Sequence, residues 1–177
     1  MGEIKSTLDL VMEKTKHLSL SSEEKQTQEQ AEIKKRINGL LQKYQDQILA
    51  GDDLTAEIEK LKKEFSLSDD APVVSQLLDR LDLEKDNHQL LVLLNTYCSK
   101  DLETVESVLN EFKDELSAAA SYRMVQLRED LAQKHSMSGS AVVPNLQADD
   151  TWQAEAAEIR SKFKAMLQEA KDKISCA

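Results

Sequence analysis

The stretch LLVLLNTY, from Leu90 to Tyr97, is the most apolar part of the chain and decides how the rest is organised. Its first five residues are all large and aliphatic, so this turn and a half of helix has no polar face. A helix that is apolar on every side is usually buried on every side. We therefore predict that residues 87–98 lie at the centre of the fold and that the other segments cover them with their apolar stripes.

The composition favours a helical protein with a buried core. Of the 177 residues, 40% are hydrophobic and 32% are charged, and only 4 are glycines and 2 prolines. Few helix breakers among many Leu, Ala, Glu, Lys and Gln residues indicate long helices. No strand-like alternation bounded by turn residues is evident. We predict an all-α fold of about six helices in hairpins or a bundle, with long coiled-coil-like C-terminal helices.

The charge and the cysteines limit the classes of partner and the compartment. A formal net charge of −10 disfavours DNA, RNA or an anionic membrane surface as a partner. No apolar run reaches the roughly 20 residues that span a bilayer, and the N-terminus lacks the apolar core of a signal peptide. Cys98 and Cys176 have no paired spacing, so neither a disulfide framework nor a zinc motif follows. We expect a reduced, cytoplasmic setting.

The first helix is predicted over residues 3–18, where Ile4, Leu8, Val11 and Leu18 recur at helical spacing. These residues belong to the opening MGEIKSTLDLVMEKTKHL. This opening resembles the start of a group of small uncharacterised bacterial helical proteins that share an MGEIKS-type N-terminus. The resemblance covers the first 18 residues and contains no catalytic motif. It implies a bacterial cytoplasmic protein and no particular activity.

A polar arm follows within the N-terminal region, which we assign to residues 1–68 and expect to form a helical hairpin. Ser21 and Glu24 have the spacing of a capping box, in which each side chain satisfies a backbone N–H of the other. Residues 21–32 contain no large apolar side chain, so no core can hold this part of the helix. We expect the arm to project into solvent or to fray.

The second half of this helix carries an apolar stripe that starts at Ile33 and extends to Ile48. Asn38-Gly39 interrupts it either as a turn or as helix interior. The stripe keeps its phase across these two residues, which favours one continuous helix. Gly51 is expected to end that helix, and Asp52-Asp53 is expected to supply the cap of the next one.

Residues 69–135 are predicted to hold the central apolar helices and one long helix. Ser68-Asp69-Asp70-Ala71-Pro72 is typical of a helix start, and a polar turn is predicted over residues 82–87. The long helix is predicted from Asp101 or Leu102 to about Lys134. Its stripe consists of Leu102, Val105, Leu109, Phe112, Leu116, Ala120, Met124, Leu127 and Leu131.

The C-terminal part divides into a linker and a last helix. Residues 136–150 are rich in small and polar residues, which indicates a flexible linker or a docking segment. Residues 151–177 are predicted to form an amphipathic helix with a heptad-like seam. That seam consists of Trp152, Ala156, Ile159, Phe163, Met166, Ala170 and Ile174.

Nothing in the sequence has the spacing of a catalytic, cofactor or metal site. His17, His88 and His135 lie in separate segments and match neither zinc nor di-iron bundle motifs. The glycines are scattered, so no phosphate-binding loop is present. Cys98 is interpreted as a buried structural thiol rather than a nucleophile. We expect no enzyme activity, no cofactor, no metal and no small-molecule substrate.

The predicted function is that of a non-catalytic helical interaction protein: an adaptor, an assembly factor or a subunit of a complex. It would bind a protein partner or further copies of itself through the two seams. One alternative is a chaperone-like holdase, with residues 21–32 and 136–150 framing an apolar groove. Another is a helical-bundle enzyme, which would need polar groups at core positions. The predicted partner-binding residues are Leu109, Phe112, Leu116, Ala120, Trp152, Ile159, Phe163 and Met166.

Overall fold

The computed structural model describes residues 21–98 and 101–175. Within these two ranges every regular element is a helix, which confirms the all-α prediction. The chain divides into two compact units, Met1–Pro72 and Val73–Ala177. The helix predicted over residues 3–18, and with it the MGEIKS resemblance, lies outside the described residues.

Six α-helices make up the described part of the chain. They are α1 (Ser22–Gln45), α2 (Gly51–Glu64), α3 (Ala71–Arg80), α4 (His88–Tyr97), α5 (Glu103–His135) and α6 (Asp150–Ser175). A short 3-10 turn, Leu146–Ala148, precedes α6. The first unit contains α1 and α2, and α4 to α6 belong to the second unit.

The start of α1 confirms the predicted capping box. The Ser21 hydroxyl accepts a hydrogen bond from the Glu24 backbone N–H at 3.1 Å, and the Glu24 carboxylate accepts one from the Ser21 N–H at 2.8 Å. Residues 22–32 are helical, and all of residues 21–32 are exposed, because none of them has a large apolar side chain to bury. Asn38-Gly39 lies inside α1, which confirms a continuous helix.

The predicted boundary between α1 and α2 was wrong by several residues. Helix α1 ends at Gln45, and Gly51 is the first residue of α2 rather than the terminator of α1. The chain reverses at Gln47, which has a φ of 59°, and the Ile48 N–H then closes the turn on the Lys43 carbonyl at 2.9 Å. Ile48, predicted to be on the stripe, is therefore 74% exposed.

The cap predicted for α2 was also wrong. The residue at the N-cap position is Ala50, which offers no side-chain acceptor, so Asp52 and Asp53 lie in the first turn instead. Acidic side chains still stabilise a helix there, because their negative charge interacts favourably with the positive end of its dipole. At its other end α2 terminates like α1, with Ser66 in the left-handed region at a φ of 52°.

Helices α1 and α2 pair as an antiparallel hairpin in the first unit. Arg36 donates from Nη1 to both carboxylate oxygens of Glu64 at 2.8 Å, and its guanidinium lies 5.1 Å from the centre of the Phe65 ring. Lys62 forms an ion pair with Asp70 at 2.8 Å. The side chains buried between the helices are Ile33, Ile37, Leu41, Leu54, Ile58 and Leu61.

The corner between α3 and α4 is held by one buried side chain, Asn87. Its carboxamide nitrogen donates to the carbonyl oxygens of Asp82 at 2.7 Å and of Lys85 at 3.1 Å. Its oxygen accepts from the Asp82 N–H at 3.1 Å. Because one side chain satisfies three backbone groups of the loop, the polar turn predicted over residues 82–87 is a fixed structure.

The apolar centre is buried on one side only, so the prediction of burial all round was wrong. Leu90, Leu93 and Leu94 are buried, as the spacing of one helix face requires. Val92 is 48% exposed and Leu91 is half-buried. Helix α4 has only ten residues, and Val92, Asn95 and Thr96 on its other faces are exposed.

Helices α5 and α6 form a long antiparallel hairpin, the main element of the second unit. Contacts along it run in opposite chain directions, with Phe112 against Phe163 and Arg123 against Asp149. The predicted start and end of the long helix agree with α5 to within two residues. Helix α5 ends at a third left-handed residue, Ser136, whose φ is 55°.

Candidate interaction surface

The eight predicted partner-binding residues fall into two groups in the structure. Five are buried: Leu109, Phe112, Trp152, Ile159 and Phe163, each at most 8% exposed. Leu116, Ala120 and Met166 are half-buried. The eight residues lie on α5 and α6, and both helices contribute buried members.

The buried group belongs to the interior of the α5–α6 hairpin. The rings of Phe112 and Phe163 meet edge to face, with their centroids 5.6 Å apart. Lys162 and Glu115 form an ion pair at 2.7 Å beside them. Because the two seams cover each other within one chain, a partner reaches Phe112 and Phe163 only if the hairpin opens, whereas Leu109 also lines a groove between α4 and α5.

The seam of α6 changes phase at one position. The sequence predicted Met166 as its fifth member, but Leu167 is the buried residue there, 4% exposed, and Met166 is only half-buried. The steps then become four, three, four, four, three, four from Trp152 to Ile174. Both residues are large and apolar, so the sequence offers no signal to choose between them.

Burial along α5 changes after Phe112. Up to that residue the helix carries fully buried side chains, and beyond it none is fully buried. The inner stripe from Leu116 to Leu131 is half-buried. On the outer face, Tyr122 is 65% exposed and Val125 is 53% exposed. We name the exposed outer face around Tyr122 and Val125 the open half of α5.

The segment between α5 and α6 was predicted as a linker. Its C-terminal end is attached to α5 through Arg123. Arg123 donates from Nε and Nη2 to the two carboxylate oxygens of Asp149 at 2.7 and 2.8 Å. The same carboxylate accepts from the Trp152 N–H at 2.8 Å, so it also caps α6. Hydrogen bonds from Arg123 lower the pKa of Asp149, and burial opposes them. Pro144 is buried, whereas Met137 and Val143 are exposed.

A second feature is a polar cleft of about 380 Å³ between residues 79–84 and α6. Arg160 donates to Glu84 at 2.6 Å at one end. At the other end Lys171 donates to the Leu81 carbonyl at 2.9 Å. Burial lowers the pKa of Lys171, although Asp79 and Asp82 oppose this effect. These bonds fix the turn against α6, which is a structural role.

A third feature is a groove of about 280 Å³ between α4 and α5. Its α4 wall includes Val92 and Asn95, and its α5 wall includes Glu106, Asn110 and Lys113. The sequence stripe of α5 contained none of these three residues, because each lies beside the buried face rather than on it.

The described residues contain no cluster of three or more His, Cys, Asp and Glu side chains that could hold a metal ion. His88 is the first residue of α4 and His135 is the last residue of α5. Cys98 directly follows α4 and is half-buried with a free thiol, so the burial expected of it is only partial. Among the described helices none is long and apolar enough to cross a membrane.

No protein-family model matches this chain, and no curated protein or solved structure shows a significant match to it. A function for this chain therefore has to be inferred from the geometry of the described surfaces.

Proposed function

We propose that this protein is a non-catalytic helical interaction protein of the cytoplasm, an adaptor or a subunit of a larger complex. The observation that carries the proposal is the incomplete burial of α5 beyond Phe112. Its binding surface is the open half of α5, and its occupant is an amphipathic helix from a protein partner or from a second copy of the chain. Such helices bind through apolar residues spaced three and four apart.

The outer face of α5 supports this proposal through its spacing. Ala118, Tyr122, Val125 and Ala132 all lie on this face and are exposed, and the first three recur at steps of four and three. Small residues on both sides of a tyrosine and a valine allow a second helix to approach closely, in a coiled-coil-like pairing. Two large apolar side chains more than half exposed on one helix face are a candidate contact patch.

Acidic side chains at both ends of this patch add specificity. Asp114 and Glu129 lie on the same outer face and are exposed, and neither has an ion-pair partner among the described residues. Such rim charges affect association rate and partner choice more than affinity. A partner helix with basic residues at its ends is therefore preferred over an acidic one.

The proposal is tested by sedimentation equilibrium and by photo-crosslinking. A photoreactive phenylalanine analogue replaces Tyr122 in one variant and exposed Ile48 in a matched control. Self-association predicts a mass above the monomer at micromolar concentration, and the variant Tyr122→Glu lowers that mass. A protein partner predicts a discrete crosslinked species from the cytoplasm at position 122 and none at position 48. A monomer throughout, with equal crosslinking at the two positions, overturns the proposal.

A further inference from the structure

The open half of α5 has charges of opposite sign at its two ends. Asp114 precedes the apolar patch and Arg128 follows it, and both side chains are exposed. Neither forms an ion pair with another residue in the part of the chain that the structure describes. On α5 itself no residue of opposite charge lies three or four positions from either one, which is the spacing that a pair within a helix requires. Both charges are therefore available to a second molecule.

The side chains between these charges change from small to large along the helix. From its N-terminal end to its C-terminal end the exposed face runs acidic, small, small, large, large, basic. The six exposed residues in this order are Asp114, Ala118, Ser121, Tyr122, Val125 and Arg128. The first half of the face is therefore acidic and flat, whereas the second half is basic and projecting.

A copy of this face that runs in the opposite direction complements it in both size and charge. The centre of symmetry then falls between Ser121 and Tyr122, and each residue meets the one that lies equally far from this centre, to within one position. Tyr122 faces Ser121 of the second copy, Val125 faces Ala118, and Arg128 faces Asp114. A two-fold dimer uses the same patch on both chains, so a patch that is complementary to itself is what it requires.

A parallel pairing of the same faces has none of these matches. It places Asp114 against Asp114 and Arg128 against Arg128, so like charges meet at both ends. It also places each large side chain against its own copy. Like charges across an interface suppress the wrong arrangement, and the antiparallel direction is therefore favoured.

We propose that the open half of α5 binds a second copy of this chain, in antiparallel orientation and centred between Ser121 and Tyr122. This inference rests on the function proposed above and names the occupant of its surface. Large side chains opposite small ones allow the helix axes to approach to about 8–10 Å, the usual packing distance. Arg128 of each copy pairs with Asp114 of the other, and the two ion pairs lie about 21 Å apart along the dimer.

Glu129 provides an internal control for these ion pairs. It is exposed and directly follows Arg128, but one residue corresponds to about 100° of rotation around a helix. Glu129 therefore lies on the opposite edge of the face from Arg128 and takes no part in the proposed ion pairs. A charge change at Glu129 tests general repulsion between the two chains, which each have a net charge of −10.

Disulfide crosslinking tests the direction and the centre of the pairing. The full chain carries Cys98→Ser and Cys176→Ser, and Ser121→Cys is added. The two copies of position 121 lie beside the symmetry centre, so mild oxidation should link most of the protein into dimers. Ala132→Cys, at another exposed position of the same face, is the matched control and should not be linked, because its two copies are about 31 Å apart. Equal crosslinking at the two positions indicates a parallel or unspecific contact and overturns the proposal.

Sedimentation equilibrium tests the ion pairs. We expect a dimer dissociation constant of roughly 10 µM, as for a small interface. Asp114→Arg should raise this constant about tenfold, because two exposed ion pairs become two repulsions. Glu129→Arg makes the same change in net charge and should not raise it. The double variant Asp114→Arg with Arg128→Asp should recover the wild-type constant.

Two results of the sedimentation experiment overturn the proposal. One is that Asp114→Arg dimerises as tightly as Glu129→Arg. The other is a monomer at about 100 µM, tenfold above the expected constant. If position 122 then still crosslinks to another protein, the function proposed above stands and only the second copy as its occupant is refuted.

Discussion

The aromatic pair inside the α5–α6 hairpin allows a quantitative test of how the second unit is held together. Phe163 is 1% exposed and Phe112 is 2% exposed, with ring centroids 5.6 Å apart. Replacing a fully buried phenylalanine by alanine costs about 3–5 kcal/mol, from lost burial and from the cavity left behind. We therefore expect Phe163→Ala to lower the free energy of unfolding by an amount in that range.

The edge-to-face contact itself is measured by a double-mutant cycle. Phe112→Leu and Phe163→Leu keep most of the buried volume but remove the ring contact. We expect a coupling energy of about 0.5–1.5 kcal/mol between the two positions, the usual value of an aromatic pair beyond its area burial. Using leucine also guards against the unfolding that an alanine variant can cause.

Trp152 is the probe for these measurements, since it is the only tryptophan and lies in the same hairpin. It is 7% exposed, so its emission should be blue-shifted in the folded protein and should move to longer wavelength on urea unfolding. Tyr122→Ala is the matched control, because its ring is 65% exposed and its loss should cost within about 0.5 kcal/mol. If Phe163→Ala lowers the free energy of unfolding by no more than Tyr122→Ala does, Phe163 is not part of a buried hairpin interior.

Two further predictions concern the segment that joins α5 to α6. The pKa of Asp149 is lowered in the folded state, chiefly by Arg123, so its stabilising contribution is present above about pH 4 and is lost as the pH falls through the lowered value. The urea midpoints of the wild type and Asp149→Asn should therefore differ at pH 7 and converge toward pH 2. Limited proteolysis should cut first between Met137 and Val143, which are both exposed, and a first cut within α4 would contradict this order of stability.

Long periodic segments were predictable from sequence because their signals are redundant. Helix α5 has 33 residues, so its stripe repeats over many turns and one ambiguous position does not alter its assignment. The capping box at Ser21 was equally predictable, since both its bonds are local and depend on two residue types at a fixed spacing.

The errors arose where tertiary contacts or local geometry choose between equivalent residues. Met166 and Leu167 are both apolar neighbours, and only the position of the facing helix decides that Leu167 is buried. The unbroken run of apolar residues predicted that Val92 is buried. Whether it is buried depends on how many helices pack around α4. At the end of α1 a glycine was available at position 51, yet the chain turned four residues earlier at Gln47.

The groove residues were not predictable for a different reason. Asn95, Asn110 and Lys113 lie on the polar side of their helices, where sequence alone cannot distinguish the wall of a groove from ordinary solvated surface. What distinguishes them is that two helices bring them to the same groove without a partner. That juxtaposition is a property of the packing and is visible only in three dimensions.

Helices α1, α2 and α5 are each followed closely by a non-glycine residue with a positive φ. These three positions allow the stability of the protein to be changed. Gln47, Ser66 and Ser136 are all exposed, and each holds a β-carbon where crowding against the backbone costs about 1 kcal/mol. Replacing one of these residues by glycine relieves the crowding and so stabilises the folded state. Glycine also makes the unfolded chain more flexible, which cancels part of that stabilisation. Because none of the three residues lies in the open half of α5, glycine at these positions should change the free energy of unfolding without changing the surface proposed to bind.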